Sequence, residues 1–574
     1  MWLMVLALLF GSAIYQLGRT IVAFAATYRA AKKTGLPIII SLISARNPVW
    51  LITQKKIAPL LQSLPFGLGG WVKYTIRGWL WADQDKMVQE LGKSWAMVSP
   101  RGLDLYSADP DVISQVYAKR KDFDRNAAVR TSIPTLLQGS VSSVVGADWQ
   151  RQRRIAAPPF NENNMSLVWD ESLRQATALC EWWKTNDKGF TTSCIDTMTV
   201  ALNILATAGL GTSWEFTPPT TEHGKSHNSS EILSADYRDT MSILLSSMSM
   251  LSLTPEWLYR LDSKYVRWLP LPKALREHVI AAEHFWTLMQ HMVAERRDEF
   301  RNGKVSDNIL LNAMIAQSEA AVTENGLGMT DKELFGNMFG YSVAGHETTA
   351  HTLNYTLHIL VAYPEWQDWI QTEVDQVYAD VSKDMADIDY TEYFPRLKRC
   401  LALMYETLRL YPPVLEHQKQ TLGPDNKTLL VEGREIVLPP DSVVHLNALS
   451  SHVMSEHWGP DHRKYNPSRW IKSSQDSEEF VQPTEHKEAY FPWSLGGRNC
   501  PGRKFSQVEF VAVISYMLKN FRVEAVPLEG ETMEAMRSRV WEVTRDSEPQ
   551  VTMNMRKSET VCLRLMSRAS TKAG

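Results

Sequence analysis

Apolar residues recur along most of this chain at the three-to-four-residue spacing of one-sided helices, and two of those helices have readable ends. Thr330 and Glu333 form a capping box ahead of a pattern that runs to Tyr363, where Pro364 stops it. The predicted helix has roughly 32 residues and a length of about 48 Å at about 1.5 Å per residue. Gly336, Gly340 and Gly345 lie inside it, which is unusual for so long a helix. A second helix starts after Pro395 and ends at Tyr411, ahead of Pro412 and Pro413. Strand-like alternation runs from Trp95 to Ala108 and again from Leu429 to Val444, where Glu432-Gly433-Arg434 predicts a hairpin turn. Thr217 to Ser230 and Lys472 to Glu488 are polar and read as surface loops. The pattern predicts a mainly α fold with small β-sheets.

The first 28 residues stand apart. Met1 to Tyr15 is almost wholly apolar, and Ile21 to Ala26 resumes the run. Together they supply the roughly 20 residues that a membrane-crossing helix needs. Arg19 interrupts the run, although an arginine near one end can reach the lipid headgroups. No Lys or Arg precedes the run, whereas Arg29, Lys32 and Lys33 follow it, so the positive-inside bias puts the rest of the chain on the cytosolic side. Ala23-Phe24-Ala25 keeps a cleaved signal peptide as the competing reading, against which stands the missing basic n-region. Gly35-Leu36-Pro37 reads as a breaker. The expected organisation is an anchor over 1–28, a linker or hinge over 29–50 and a folded body over 51–574.

Composition narrows the class. A length of 574 residues suggests three or four domains at about 150 residues each. A formal net charge of -3 gives no electrostatic case for nucleic-acid binding. The five cysteines, at 180, 194, 400, 500 and 562, form no CxxC pair, which argues against a zinc site and a secreted disulfide scaffold. A reducing compartment follows, with at most one cysteine doing chemistry.

That cysteine is Cys500, in Trp493–Gly502, WSLGGRNCPG. An iron-bound thiolate needs backbone N–H groups aimed at sulfur and a loop that can approach a flat cofactor. Gly496, Gly497 and Gly502 permit the approach because no Cβ intervenes. Pro501 suits the first turn of a helix formed by the apolar run Phe505 to Phe521. Its N-terminal partial charge would favour a thiolate at Cys500. Arg498 could reach a carboxylate on the cofactor. A buried cysteine in a glycine-rich turn is the bland alternative. The segment nonetheless resembles the haem-binding loop of the cytochrome P-450 family, FxxGxRxCxG, with Gly496, Arg498, Cys500 and Gly502 in register and Trp493 where Phe is usual.

Further segments stand in the order that resemblance requires. Ala344–Thr349, AGHETT, is similar to the family's AGxET(T/S), in which Glu347 and Thr348 would relay protons to bound oxygen. A threonine bonding back to a helix carbonyl is its ordinary reading, and Gly345 would let a ligand lie close. Glu406-Thr407-Leu408-Arg409 is the family's ExxR, and Tyr465–Trp470 resembles the segment that adds Arg469 to Glu406 and Arg409 in a fold-locking ion network. An i,i+3 surface salt bridge is the alternative for the first pair. Trp149 and Arg153 match WxxxR, which contacts a haem propionate, and Lys419 falls where many relatives place a propionate-binding arginine.

The resemblance covers about Gly35 to Leu565 and implies one haem domain over 51–574 rather than several. It implies haem b (iron protoporphyrin IX) with Cys500 as the axial thiolate, a ligand that favours O–O cleavage. No dinucleotide fingerprint is visible, so NADPH would act indirectly, through a membrane-bound flavoprotein reductase at the endoplasmic reticulum. The implied reaction is insertion of one oxygen atom into a lipophilic small molecule, by hydroxylation or epoxidation, as a tailoring step in secondary metabolism. A haem-thiolate isomerase or dehydratase and a non-catalytic haem sensor are the rivals. The substrate pocket is expected from parts of Thr131 to Val145, Phe335 to Ala344 and Val414 to Gln420.

Overall fold

The computed structural model describes residues 2–125, 139–217, 237–247, 254–302, 308–379, 381, 388–474 and 477–568. The chain opens with a 33-residue helix, α1 (Trp2–Thr34), which ends where Gly35 takes a φ of +72°. The boundary expected at residue 28 therefore falls inside a helix. Ala31 is buried and Phe24 packs beside it against the sheet described next, so the end of α1 belongs to the body. The expected linker is also partly structured: Ile38–Ile40 form β1, and Asn47 caps α2 (Pro48–Gln62).

β1 joins a six-stranded mixed sheet in the order β1-β2-β3-β8-β5-β4. Its other members are β2 (Ser94–Ser99), β3 (Gly102–Ser107), β4 (Phe123–Arg125), β5 (Glu416–Thr421) and β8 (Val443–Asn447). The alternation at Trp95–Ala108 is thus the β2–β3 hairpin, antiparallel with Trp95 opposite Tyr106. The later alternation divides. Its first part is a separate hairpin of β6 (Lys427–Val431) and β7 (Arg434–Leu438), turned by Glu432 and Gly433 at φ 49° and 75°, the left-handed pair that two-residue hairpin loops favour. Its last residues enter β8. Lys472–Glu488 holds part of a further small hairpin, β9 (Ile471–Ser473) with β10 (Glu478–Phe480), rather than a plain loop. The polar stretch Thr217–Ser230 lies outside the described residues from 218 onward.

Helices carry the rest. Those nearest the site are α3 (Pro110–Ala118), α4 (Gly146–Ala156), α5 (Glu162–Lys184), α6 (Ser193–Leu210), α7 (Lys273–Arg301), α8 (Asp331–Ala362), α9 (Lys398–Leu410), α10 (Arg503–Asn520) and α11 (Met533–Arg545). The capping box at Thr330 and Glu333 is formed in both directions, and α8 has the 32 residues expected. α6 is long and apolar enough to cross a membrane, but 78% of it is buried, as in a core helix. A Cβ on Gly345 would stand 3.3 Å from Leu205 of α6, so this glycine lets the two helices pack closely. The largest cluster of buried apolar side chains draws on residues from Leu80 to Leu563, and smaller clusters lie between α7 and α8 and under the six-stranded sheet. Short antiparallel pieces near the chain's end, β12 (Ser547–Pro549) with β13 (Met553–Met555), follow α11 and return to α8.

Candidate active site

Cys500 lies between the 3-10 turn Gly496–Arg498 and Gly502, which precedes α10. Its N–H donates to the Trp493 carbonyl at 2.8 Å and closes the loop. Gly496 has a φ of +66°, and a Cβ there would approach the Tyr117 carbonyl at 3.4 Å, so this position needs glycine twice over. Gly502 differs: its φ is -81° and a Cβ would meet only ordinary contacts, with Phe160 and Cys500 Sγ. Pro501 sits just before the helix's N-cap rather than in its first turn. Ser494, itself at φ 63°, donates to the Tyr117 hydroxyl at 3.0 Å and so ties the loop to α3.

Of the five cysteines, Cys500 alone is exposed; Cys180 and Cys400 are buried and Cys194 and Cys562 half-buried. Its sulfur is reachable yet crowded by protein. That crowding pushes the thiol above its ordinary value, while the Gly502 N–H and the Arg153 guanidinium work against it. Arg153 also donates to Asn499 Oδ1 at 2.8 Å. Trp149, four residues earlier on α4, stacks elsewhere: the Arg498 guanidinium stands 4.5 Å from its ring centre and that of Arg120 5.3 Å.

Beside the loop, cations gather in excess of acids. Arg498 pairs through Nε with Asp124 of β4 at 2.9 Å and donates to the Val144 carbonyl at 3.0 Å. Burial and the nearby Arg125 lower its pKa to about 10, against the pull of Asp124. Lys419 of β5 is buried over the Tyr117 ring; desolvation first, then Arg125, brings its pKa down to about 8. Arg125, which the sequence reading missed, is itself held below its ordinary value by burial and donates to the Ser142 carbonyl. Asp124 is the carboxylate facing this group. Among the described residues, Arg498 Nη1 is buried with no hydrogen-bond partner. A set of basic side chains short of acids, one with an orphaned N–H group, on the loop of the exposed thiol, fits haem: two propionates would supply the missing negative charge.

On α8, Glu347 and Thr348 are neighbours in sequence but face different partners. Thr348 donates to the Ala344 carbonyl at 2.8 Å, the ordinary helix-interior bond. Glu347 is buried, and burial pushes its carboxyl up to about 7. Its Oε2 lies 3.4 Å from Thr552 Oγ1, which lies 2.9 Å from His351 Nδ1. The expected pocket segment Phe335–Ala344 is partly core: Phe335 packs on Trp286 and Phe339 on Phe285, both of α7. Ala344 is exposed, as is Val414, and residues 131–138 lie outside the described residues.

Glu406, Arg409 and Arg469 come together away from the surface. Arg409 makes a two-pronged pair with Glu406 at 2.8 Å on each arm, both side chains fully buried, and Arg469 Nε reaches Glu406 at 3.2 Å. Burial would raise the Glu406 pKa; the two guanidiniums outweigh it and hold the carboxyl below its ordinary value. The Trp470 indole N–H donates to Glu406 at 3.0 Å, a bond that phenylalanine at this position could not make.

A family model for cytochrome P-450 matches residues 64–552. A cytochrome P-450 monooxygenase of Arthrobotrys oligospora is 26% identical over 561 residues, covering 92% of each chain. One from Penicillium roqueforti is 27% identical over 534 residues, covering 88% of each. A phomenoic acid biosynthesis cluster cytochrome P-450 monooxygenase of Leptosphaeria maculans is 25% identical over 539 residues, covering 88% of this chain and 89% of its own. A cytochrome P-450 crystal structure aligns at a TM-score of 0.63 over 85% of this chain and 94% of that one, at 17% identity, which shows the fold. Fold and relatives define an oxygen-incorporating oxidoreductase that holds haem through a cysteine thiolate and draws electrons from a reductase. The chain belongs to the cytochrome P-450 family.

Proposed function

We propose that this protein is a monooxygenase that inserts one oxygen atom into a lipophilic small molecule, by hydroxylation or epoxidation, with Cys500 as the iron ligand. The observation that carries the assignment is Cys500 itself, the one exposed thiol, set in a glycine-strained loop beside a group of basic side chains short of acids. Haem, when bound, supplies the activation of dioxygen. The protein's own residues do the rest. Arg153, Arg498 and Lys419, with Arg125, would hold the propionates, and Trp149 would brace Arg498 by stacking. Gly496 lets the loop turn, and Gly502 brings its N–H to the sulfur. Glu347 and Thr348 would hold and move protons for the reaction. The Glu406-Arg409-Arg469 network locks the fold that carries the loop.

The relative named for phomenoic acid biosynthesis supports a tailoring role in secondary metabolism. Residues 1–28 would anchor the protein in the endoplasmic reticulum membrane, with 29–50 leading to a cytosolic catalytic domain over 51–574 and a membrane-bound NADPH-dependent flavoprotein reductase as electron donor. Exposed apolar side chains on α1 (Phe10, Ile21, Val22) and around α2 (Val49, Ile52, Phe66) support this placement. Full-length protein with that reductase and a lipophilic substrate panel under 18O2 should give products carrying one labelled oxygen. Turnover without label or NADPH would instead support the isomerase reading, which Glu347 and Thr348 disfavour because such chemistry needs no proton relay to oxygen.

A further inference from the structure

His417 lies on β5 two residues before Lys419, so the two side chains leave the same face of the strand. Arg125 of β4 stands opposite Lys419 in the antiparallel register. The imidazole therefore belongs with the basic group beside the cysteine loop. Tyr117, near the end of α3, joins them. Lys419 Nζ stands 5.2 Å from the centre of its ring, and its hydroxyl lies 2.6 Å from His417 Nδ1. The direction of the hydrogen bonds follows from the donors. Ser494 of the cysteine loop donates to the Tyr117 hydroxyl at 3.0 Å, so that oxygen accepts there and keeps one proton to give. Its other side-chain partner is His417 Nδ1. Burial first, then Lys419 and Arg125, pushes the His417 pKa down to about 4, so Nδ1 is free to accept. A neutral imidazole that accepts at Nδ1 carries its hydrogen on Nε2. Among the described residues, that Nε2 is buried with no hydrogen-bond partner.

A buried donor left unmet is costly, and its neighbours Lys419 and Arg125 are cations that cannot accept. The adjacent carboxylate, Glu416, leaves the opposite face of β5 and is engaged by His445 at 2.9 Å and Gln418 at 2.8 Å. Asp124 is engaged by Arg498. We propose that His417 is a further haem-holding residue that donates from Nε2 to a haem propionate, and that Tyr117 and Ser494 are positioning residues that fix its tautomer from the cysteine loop. The inference rests on reading Cys500 as the ligand of a haem whose propionates meet Lys419 and Arg498. A carboxylate has lone pairs for several donors, so His417 adds a bond to those the cations make without adding charge. One chain of hydrogen bonds, Ser494 to Tyr117 to His417, then joins the loop that carries the iron ligand to the propionate edge.

The test is resonance Raman spectroscopy of the full-length ferric holoprotein, read at the haem propionate bending mode, together with the rate of haem transfer to an acceptor globin. In His417→Phe the band should move to lower frequency and haem should leave at least about tenfold faster, as for one lost hydrogen bond to a charged group. His417→Gln presents an amide N–H near the place of Nε2 and should bring both readouts most of the way back. Tyr117→Phe keeps the ring under Lys419 but removes the phenol proton, and should move the band the same way by less. An unmoved band in His417→Phe overturns the proposal. So does an equal loss in His417→Gln, because packing would then account for the effect. If His417→Phe takes up no haem, Tyr117→Phe decides, and an unmoved band there overturns the proposal. The carbon monoxide difference spectrum keeps the two readings apart. A wild type without the thiolate band removes the Cys500 assignment, whereas a thiolate band with an unmoved propionate mode removes only the His417 bond.

Discussion

At the residue scale the environment of each charged group decides what it does. Glu347 is a carboxyl raised to about 7 by burial, so its protonated form favours the folded state. Its contribution to stability is fully present below its ordinary value near 4.5 and is lost as pH rises through about 7. Glu347→Gln should therefore gain stability relative to wild type above pH 7, by up to about 3 kcal/mol, and match it in acid; urea midpoints across pH measure this. Lys419 runs the other way. Its pKa is depressed to about 8, so the charged form is disfavoured and stability tied to it is lost as pH falls through about 8. A propionate would reverse that preference. Haem loss to an acceptor globin should thus accelerate as pH climbs above 8 in the wild type and show no such step in Lys419→Met. The motif residues were legible in sequence because spacing marks them. Arg125 and Thr552 were not, since no local pattern announces a partner brought by β4 or by a segment 205 residues away.

Elements were legible where their ends carry chemistry. The capping box and Pro364 bounded α8, and the paired prolines bounded α9. The β6–β7 hairpin followed from a glycine able to take a positive φ. Where a segment's fate depends on distant pairing, the sequence was silent: Ile38–Ile40 become β1 only because β2 lies alongside, and Lys472–Ser473 pair with Glu478–Glu479. α9 owes its place to the ion pair it carries. Arg409 bonds Glu406 and also donates to the carbonyls of His452, His462 and Lys464, pinning the segment ahead of the cysteine loop. Arg409→Leu would leave a buried carboxylate short of a partner and three carbonyls unmet. We expect a loss of about 3–5 kcal/mol, seen as a lowered chemical-denaturation midpoint and failure to retain haem rather than as a slower enzyme.

For the whole molecule, two sequence expectations change with the fold. Length suggested several domains, whereas one family model spans residues 64–552. The helix that carries the expected anchor continues past residue 28 to Thr34, and its end packs on the sheet, while the stretch 29–50, expected as a linker or hinge, also holds β1. Fold class and the cysteine loop were readable in sequence because both rest on local patterns. The partners of Asp124, Glu347 and Trp470 needed three dimensions.

The account turns on Cys500 as the thiolate that binds haem iron, and the carbon monoxide difference spectrum of the dithionite-reduced, full-length protein tests it most directly. The red-shifted Soret band diagnostic of thiolate ligation is expected in the wild type and should be absent in Cys500→Ser that still holds haem. A band at the imidazole- or thiol-ligated position in folded wild-type protein, or a thiolate band that survives in Cys500→Ser, would contradict the assignment.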